Sequence, residues 1–159
     1  MSESSRFRQT TDFNCGAAAL CFLLSITGND APDIDTMTRE LRSTDEAGTT
    51  HQAIEDWLYE NEYVYKASRH HFLSRVSLPM LVNYWKEDDG HYGVLTDLSL
   101  RKRNAELFDP ADGYFHLVDW DHFRKNWFSK RYGKRWGLYN LRKRVRPLTG
   151  GTTCATIKP

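Results

Sequence analysis

The sequence predicts an α+β domain, with helices first and an antiparallel sheet after them. Three observations carry that reading. The run Ala17 to Thr27 is apolar nearly all round and is closed by Gly28, the pattern of a helix buried in a core. After about Asn61 the apolar period changes from helical to alternating. The alternating runs are short and divided by turn sequences such as Asp109-Pro110-Ala111-Asp112-Gly113, which suits hairpins rather than βαβ crossovers.

At 159 residues the chain fits one domain, and 40% hydrophobic with 13% aromatic residues fits a packed one rather than a disordered one. No run of eighteen apolar residues is present, so no membrane span is expected. The polar start, Met1 to Arg6, lacks the apolar core of a signal peptide, and a cytoplasmic location is expected. Cys15, Cys21 and Cys154 are an odd set without metal-type pairing, consistent with free thiols in a reducing compartment. The net charge of +1 hides a division, with ten acids between Asn29 and Glu62 and ten basic residues between Arg124 and Arg146. The motifs of nucleic-acid modules are missing, so the basic segment reads as a solvated face and nucleic acid is not an expected partner.

Residues 1–8 read as a flexible lead-in, 9–146 as the folded domain and 147–159 as a flexible tail. Asn14 is placed to N-cap a helix over about 15–27. A short helix follows over Asp33–Leu41, with Ile34, Met37 and Leu41 on one side. Thr49-Thr50-His51-Gln52 resembles a capping box, with Thr49 as N-cap, opening a helix that runs to about Asn61. Strands are expected over Tyr63–Ala67, Pro79–Tyr84, His91–Leu98, Ala105–Asp109, Tyr114–Val118 and Trp136–Arg142. Between the last two, Asp119 caps a short helix carrying Trp120, Phe123, Trp127 and Phe128. Lys86–Gly90 is expected as a turn.

The candidate chemistry begins at Cys15. A thiol in the first turn of a helix meets free amides and the positive end of the dipole, which favour a negative charge. Gln9, six residues earlier, carries an amide able to donate to a developing oxyanion. His91 opens the strongest strand and Asp109 ends the next, so a hairpin between them brings the two together. Pro110 holds the Asp109 backbone extended. A carboxylate on one imidazole nitrogen leaves the other free to take a proton from Cys15. If His91 faces the core helix, Gly93, Leu95 and Asp97 share its face.

These residues carry a resemblance. Gln9…Asn14-Cys15-Gly16-Ala17-Ala18-Ala19-Leu20, then Asp89-Gly90-His91-Tyr92-Gly93-Val94-Leu95, then Leu107-Phe108-Asp109-Pro110-Ala111-Asp112-Gly113 resemble the papain-like cysteine peptidases. The closest likeness is to the bacteriocin-processing, or double-glycine, peptidase family, over about Arg8 to Leu141 and as a stand-alone domain. The resemblance implies a papain-like fold, with a buried central helix packed on an antiparallel sheet. It implies Cys15 as nucleophile, His91 as base, Asp109 as its orienter and Gln9 with the Cys15 amide as oxyanion donors. The implied activity is thiol-dependent hydrolysis of a peptide or protein substrate, with no metal or cofactor. A glutamine deamidase, an acyltransferase and a catalytically degenerate peptide-binding module are alternatives on the same scaffold.

Trp85 and Tyr92 flank the strand that carries His91 and are candidate liners of a substrate groove. Cys21 reads as core. The spacing of His51, His70 and His71 matches no standard zinc site. Gly150-Gly151 repeats the dipeptide after which the family's processing enzymes cut, and a mobile loop is the plain reading of it.

Overall fold

The computed structural model describes residues 3–70, 77–86, 89–127 and 135–144. The central helix, α1, spans Cys15–Ile26, and every residue from Cys15 to Leu24 is buried. It stops where expected and for the expected reason. Gly28 takes φ of +74°, its N–H reaches Ser25 O at 3.1 Å, and the Asn29 N–H reaches Leu24 O at 2.9 Å. That pair of bonds satisfies the last carbonyls through a left-handed residue, a conformation glycine adopts without strain. Each fully buried leucine of α1 contributes about 1.5–3 kcal/mol of transfer free energy, which a sequence this apolar obtains only in an interior.

α2 (Ile34–Glu40) is capped by Asp33, whose side chain accepts from the Thr36 N–H at 2.9 Å. α3 (His51–Glu60) starts one residue later than the capping-box reading places it. Thr50, not Thr49, is the N-cap, and its hydroxyl accepts from the Ala53 N–H at 3.1 Å. Gln52 donates to Asp56 instead, at 2.7 Å. Thr49 is buried and has another use, lying where a Cβ on Gly16 would stand. The segment expected as a flexible lead-in contains a 3-10 helix over Glu3–Phe7, with Phe7 buried edge-on against Phe22 of α1.

The strands are β1 (Tyr63–His70), β2 (Met80–Lys86), β3 (Asp89–Ser99), β4 (Asn104–Asp109), β5 (Tyr114–Asp119) and β6 (Arg135–Lys143), with α4 (Trp120–Asn126) before β6. They form one sheet in the order β1-β6-β2-β3-β4-β5, antiparallel throughout. β6 thus enters between β1 and β2, far from its neighbours in sequence. Lys86 pairs with Asp89, so much of the expected Lys86–Gly90 turn is strand and β3 begins two residues before His91.

Each face of the sheet carries a core. Leu81, Tyr92, Val94, Phe108 and Leu138 pack with α1, where Phe22 stacks on Phe108 at a centroid distance of 3.8 Å. Met80, Val82, Leu95, Leu107 and Tyr139 pack with Trp120, Phe123 and Trp127 on the opposite face. Leu95 and, by the alternation of the strand, Gly93 and His91 therefore belong to the α4 face, and Tyr92 and Val94 to the α1 face. The conditional placement of His91 toward the core helix is reversed, because Tyr92 and Val94, which alternate with it, occupy that layer. A bulge sits between Leu95 and Asp97, where Leu95 pairs with Leu107 but Asp97 pairs with Glu106. Phe128, His71, Cys154, Gly150-Gly151 and the rest of residues 147–159 lie outside the described residues.

Candidate active site

Three sequence-expected residues, Cys15, His91 and Asp109, converge at the end of the sheet where β3 begins, and the Gln9 backbone is tied to the turn after Asp109. His91 Nε2 lies 2.7 Å from Asp109 Oδ1, with the two side chains 12% and 7% exposed. The bulge makes this pairing possible. Below it, Val94 is opposite Phe108, so Asp109 falls opposite Gly93 and on the same face as His91, one diagonal step away. Without the extra residue Asp109 would point to the α1 face. Gly93 also permits the approach, because a Cβ there would stand 2.9 Å from Phe108 O and 3.2 Å from Tyr84 Cε1.

Cys15, in the first turn of α1, approaches the imidazole at the end of the sheet. Its sulfur stands near enough to the His91 ring to raise its proton affinity, and with Nε2 committed to Asp109 the nitrogen left to serve it is Nδ1. Gly16 seats α1 at this depth, since a Cβ on it would lie 2.5 Å from Thr49 Cβ. Asn14 stands at the N-cap position, but its side chain makes no capping bond. Its Oδ1 accepts from Thr10 and Thr11 N–H at 3.2 Å each, and its Nδ2 donates to Thr10 Oγ1 at 2.9 Å and Thr38 Oγ1 at 3.1 Å. Asn14 therefore shapes the loop that carries Gln9, and its side chain leaves the first-turn amides uncovered.

Gln9 is tied to the other half of the site. Its N–H donates to Pro110 O at 2.7 Å, and Arg8 Nε donates to Ala111 O at 3.3 Å. The Gln9 side-chain oxygen is buried without a hydrogen-bond partner among the described residues. The Asp109 turn is closed by Gly113 N–H on Asp109 O at 2.9 Å and by Ala111 N–H on Asp109 Oδ1 at 2.8 Å. Loop, turn and strand thus lock together around the carboxylate.

The charges follow from these contacts. Burial is the largest influence on His91 and pulls its proton affinity down. The hydrogen bond from Asp109, the hydrogen bond and charge of Cys15, and the Asp109 charge outweigh it and raise the imidazole to about 9. Burial likewise pushes Asp109 up, but its bonds to His91 and Lys86, the His91 charge and the Ala111 N–H hold it well below the usual carboxylate range. An imidazolium beside a carboxylate is the favoured state of the pair.

A cleft of about 360 Å³ opens beside Cys15. Trp85 and Tyr92, the expected groove residues, both line it, although Tyr92 is only 3% exposed and forms its floor. The rim carries Asp12, Asp45, Glu46 and Asp89, with no lysine or arginine among the described residues that line it. His51 also lines it, stacked on Trp136 at 4.2 Å. Among the described residues no group of three or more His, Cys, Asp or Glu is arranged to hold a metal, and no helix is long and apolar enough to cross a membrane.

A family model described as the peptidase C39 family matches residues 4–130. The chain belongs to the peptidase C39 family. Among solved structures, the fold of this C39 domain is similar to the peptidase domain of Streptococcus ComA, a bi-functional ABC transporter of a quorum-sensing pathway. The TM-score is 0.71 at 15% identity, over 86% of this chain and 96% of that one. It is also similar to a double glycine motif protease from an AMS/PCAT transporter, solved with a leader peptide, with a TM-score of 0.67 at 16% identity over 82% and 86%. A third is the N-terminal peptidase C39-like domain of a toxin secretion ATP-binding protein from Vibrio parahaemolyticus, with a TM-score of 0.61 at 15% identity over 86% and 100%. No curated protein sequence matches the chain. At these identities the likeness establishes the fold, which is papain-like with helices on an antiparallel sheet.

Two contacts of this C39 site were not foreseen from the sequence. Lys86 Nζ lies 2.6 Å from Asp109 Oδ2, and the Tyr84 hydroxyl reaches the same oxygen at 3.4 Å. Their signal was available only through the β2–β3 register, in which Tyr84 pairs with His91. Reading Lys86 as the start of a turn hid it.

Proposed function

We propose that this chain is a cysteine peptidase that cleaves a peptide bond through an acyl-enzyme on Cys15. The proton of the Cys15–His91 pair rests on His91 Nδ1 as the sulfur attacks the scissile carbonyl carbon. The oxyanion that forms is met by the Cys15 N–H and the Gln9 side-chain amide. The imidazolium gives its proton to the leaving nitrogen, the C–N bond breaks, and a thioester remains on Cys15. Water then attacks the thioester with His91 taking its proton. The acid product departs and the proton stays on His91 beside the released sulfur. Asp109 fixes the tautomer through Nε2 and stabilises the imidazolium.

The observation that carries this reading is the half-buried His91 held by Asp109 at 2.7 Å with the Cys15 sulfur near its ring. The cleft beside that sulfur supports an extended peptide segment as substrate. The related domain solved with a leader peptide makes leader-type peptides the first probes. Incubation of the protein with a leader-peptide set and a general peptide library, read by intact mass, tests it. Scission by the wild type and none by Cys15→Ala, with the fold retained, is expected. A mass change on a partner without chain scission would assign deamidation or acyl transfer instead, and binding without turnover would assign a peptide-binding module.

A further inference from the structure

Asp109 is held by two cations rather than one. His91 occupies Oδ1 at 2.7 Å, and Lys86, at the end of β2, occupies Oδ2 at 2.6 Å. Ala111 N–H and the Tyr84 hydroxyl complete the shell at 2.8 and 3.4 Å. The carboxylate is 7% exposed and Lys86 39%, so the ammonium covers the solvent side of an otherwise enclosed anion. In a simple pair, the whole carboxylate charge would favour the imidazolium. Here part of it is already balanced by Lys86, and a second positive charge stands near the ring.

We propose that Lys86 is a positioning residue that turns Oδ1 of Asp109 toward His91 and lowers the proton affinity of His91, so that the imidazole releases its proton at a lower pH than the pair alone would allow. This rests on the Cys15–His91–Asp109 reading above. The groups facing the cluster are Cys15 from α1, Tyr84 from β2, Asp112 from the β4–β5 turn, His116 from β5 and His122 from α4. His116 is bonded to Asp112 at 2.9 Å and His122 to Asn126 at 3.1 Å, but both border the same cavity as Lys86 and are included as controls.

The test needs no substrate. The rate of iodoacetamide alkylation at Cys15 is measured against pH in a Cys154→Ser background. The wild-type profile should show reactivity persisting into mild acid and an upper inflection, and His91→Ala should lose the reactivity in mild acid and keep only the single alkaline rise of an unpaired thiol. Lys86→Met should move that inflection upward by about 0.5–1 pH unit, Lys86→Gln should do the same, and Lys86→Arg should restore it. His116→Gln and His122→Gln should leave it in place. If both neutral variants are folded by near-UV circular dichroism and superimpose on the wild type, or shift downward, Lys86 has no such role. The inference also falls if the inflection follows His116 or His122. Reactivity in mild acid that persists unchanged in His91→Ala overturns the Cys15–His91 reading itself, a result distinct from failure at Lys86 alone.

Discussion

Replacing Gly16 by alanine tests whether the seating of α1 sets the site. The added Cβ would stand 2.5 Å from Thr49 Cβ and 2.8 Å from both Cγ2 and Oγ1. Carbon atoms in contact prefer about 3.5–4.0 Å, so the overlap exceeds about 1 Å. Thr49 has little room to retreat, being 7% exposed and bonded to Ser43 Oγ at 2.7 Å. Overpacking of this kind costs about 1–3 kcal/mol. Alanine recovers at most about 1 kcal/mol through its better helix propensity, and less in the first turn. The net expectation is a loss of about 1–2 kcal/mol in urea unfolding, or about 2–8 °C in Tm. Alkylation of Cys15, the preceding residue, should slow in parallel. Two partners make the test specific. Thr49→Ala removes Cγ2 and Oγ1 but keeps the closest atom, whereas Thr49→Gly removes all three, so the double-mutant coupling should be larger with glycine by about 1 kcal/mol. A Gly16→Ala protein as stable as the wild type, or equal relief by Thr49→Ala and Thr49→Gly, would refute the steric account.

Four further outcomes are expected. His91 is raised from 6.5 to about 9, so its contribution to stability is complete below the unfolded value and is lost as pH climbs through 9; Asp109, held below 3.8, contributes above that value and fails only in stronger acid. The urea midpoint should therefore fall between about pH 7 and pH 10, and His91→Gln should flatten that fall. Burial, with the charges of Asp33 and Glu40, pushes the Cys21 thiol up to about 12, so peptide mapping after brief alkylation of the folded protein should find label on Cys15 and none on Cys21. Asn14→Ala, which strips four hydrogen bonds from a side chain 1% exposed, should lower stability by about 2–4 kcal/mol and slow Cys15 alkylation by loosening the Gln9 loop. With the carboxylates of Asp12, Asp45, Glu46 and Asp89 on the cleft rim, peptides bearing lysine or arginine beside the scissile bond should show a lower KM than acidic ones. Added salt or Asp45→Lys with Glu46→Lys should erase that difference.

Local sequence determined much of this protein. The unbroken apolar run after Cys15 could fold only as an interior helix, Gly28 could end it in a left-handed turn, and Asp33 and Asp119 could cap the helices they precede, because those choices rest on neighbours a few residues away. The residues proposed for the site, Gln9, Cys15, His91 and Asp109, were each picked out by residue type beside a turn, a strand end or a helix start. What joins them was not. Thr49 and Thr50 are both good caps, and only the packing of Thr49 under Gly16 leaves Thr50 to start α3. β6 reaches its place between β1 and β2 through pairings with no local signature. The bulge before Asp97 decides that Asp109 shares a face with His91, and the β2–β3 register decides that Lys86 reaches the same carboxylate. Strand register is a collective property, fixed when both faces of a sheet are buried at once, and a one-residue change sends every side chain to the opposite face. The proposed chemistry was therefore read from single residues, while the tertiary structure alone decided which of them meet.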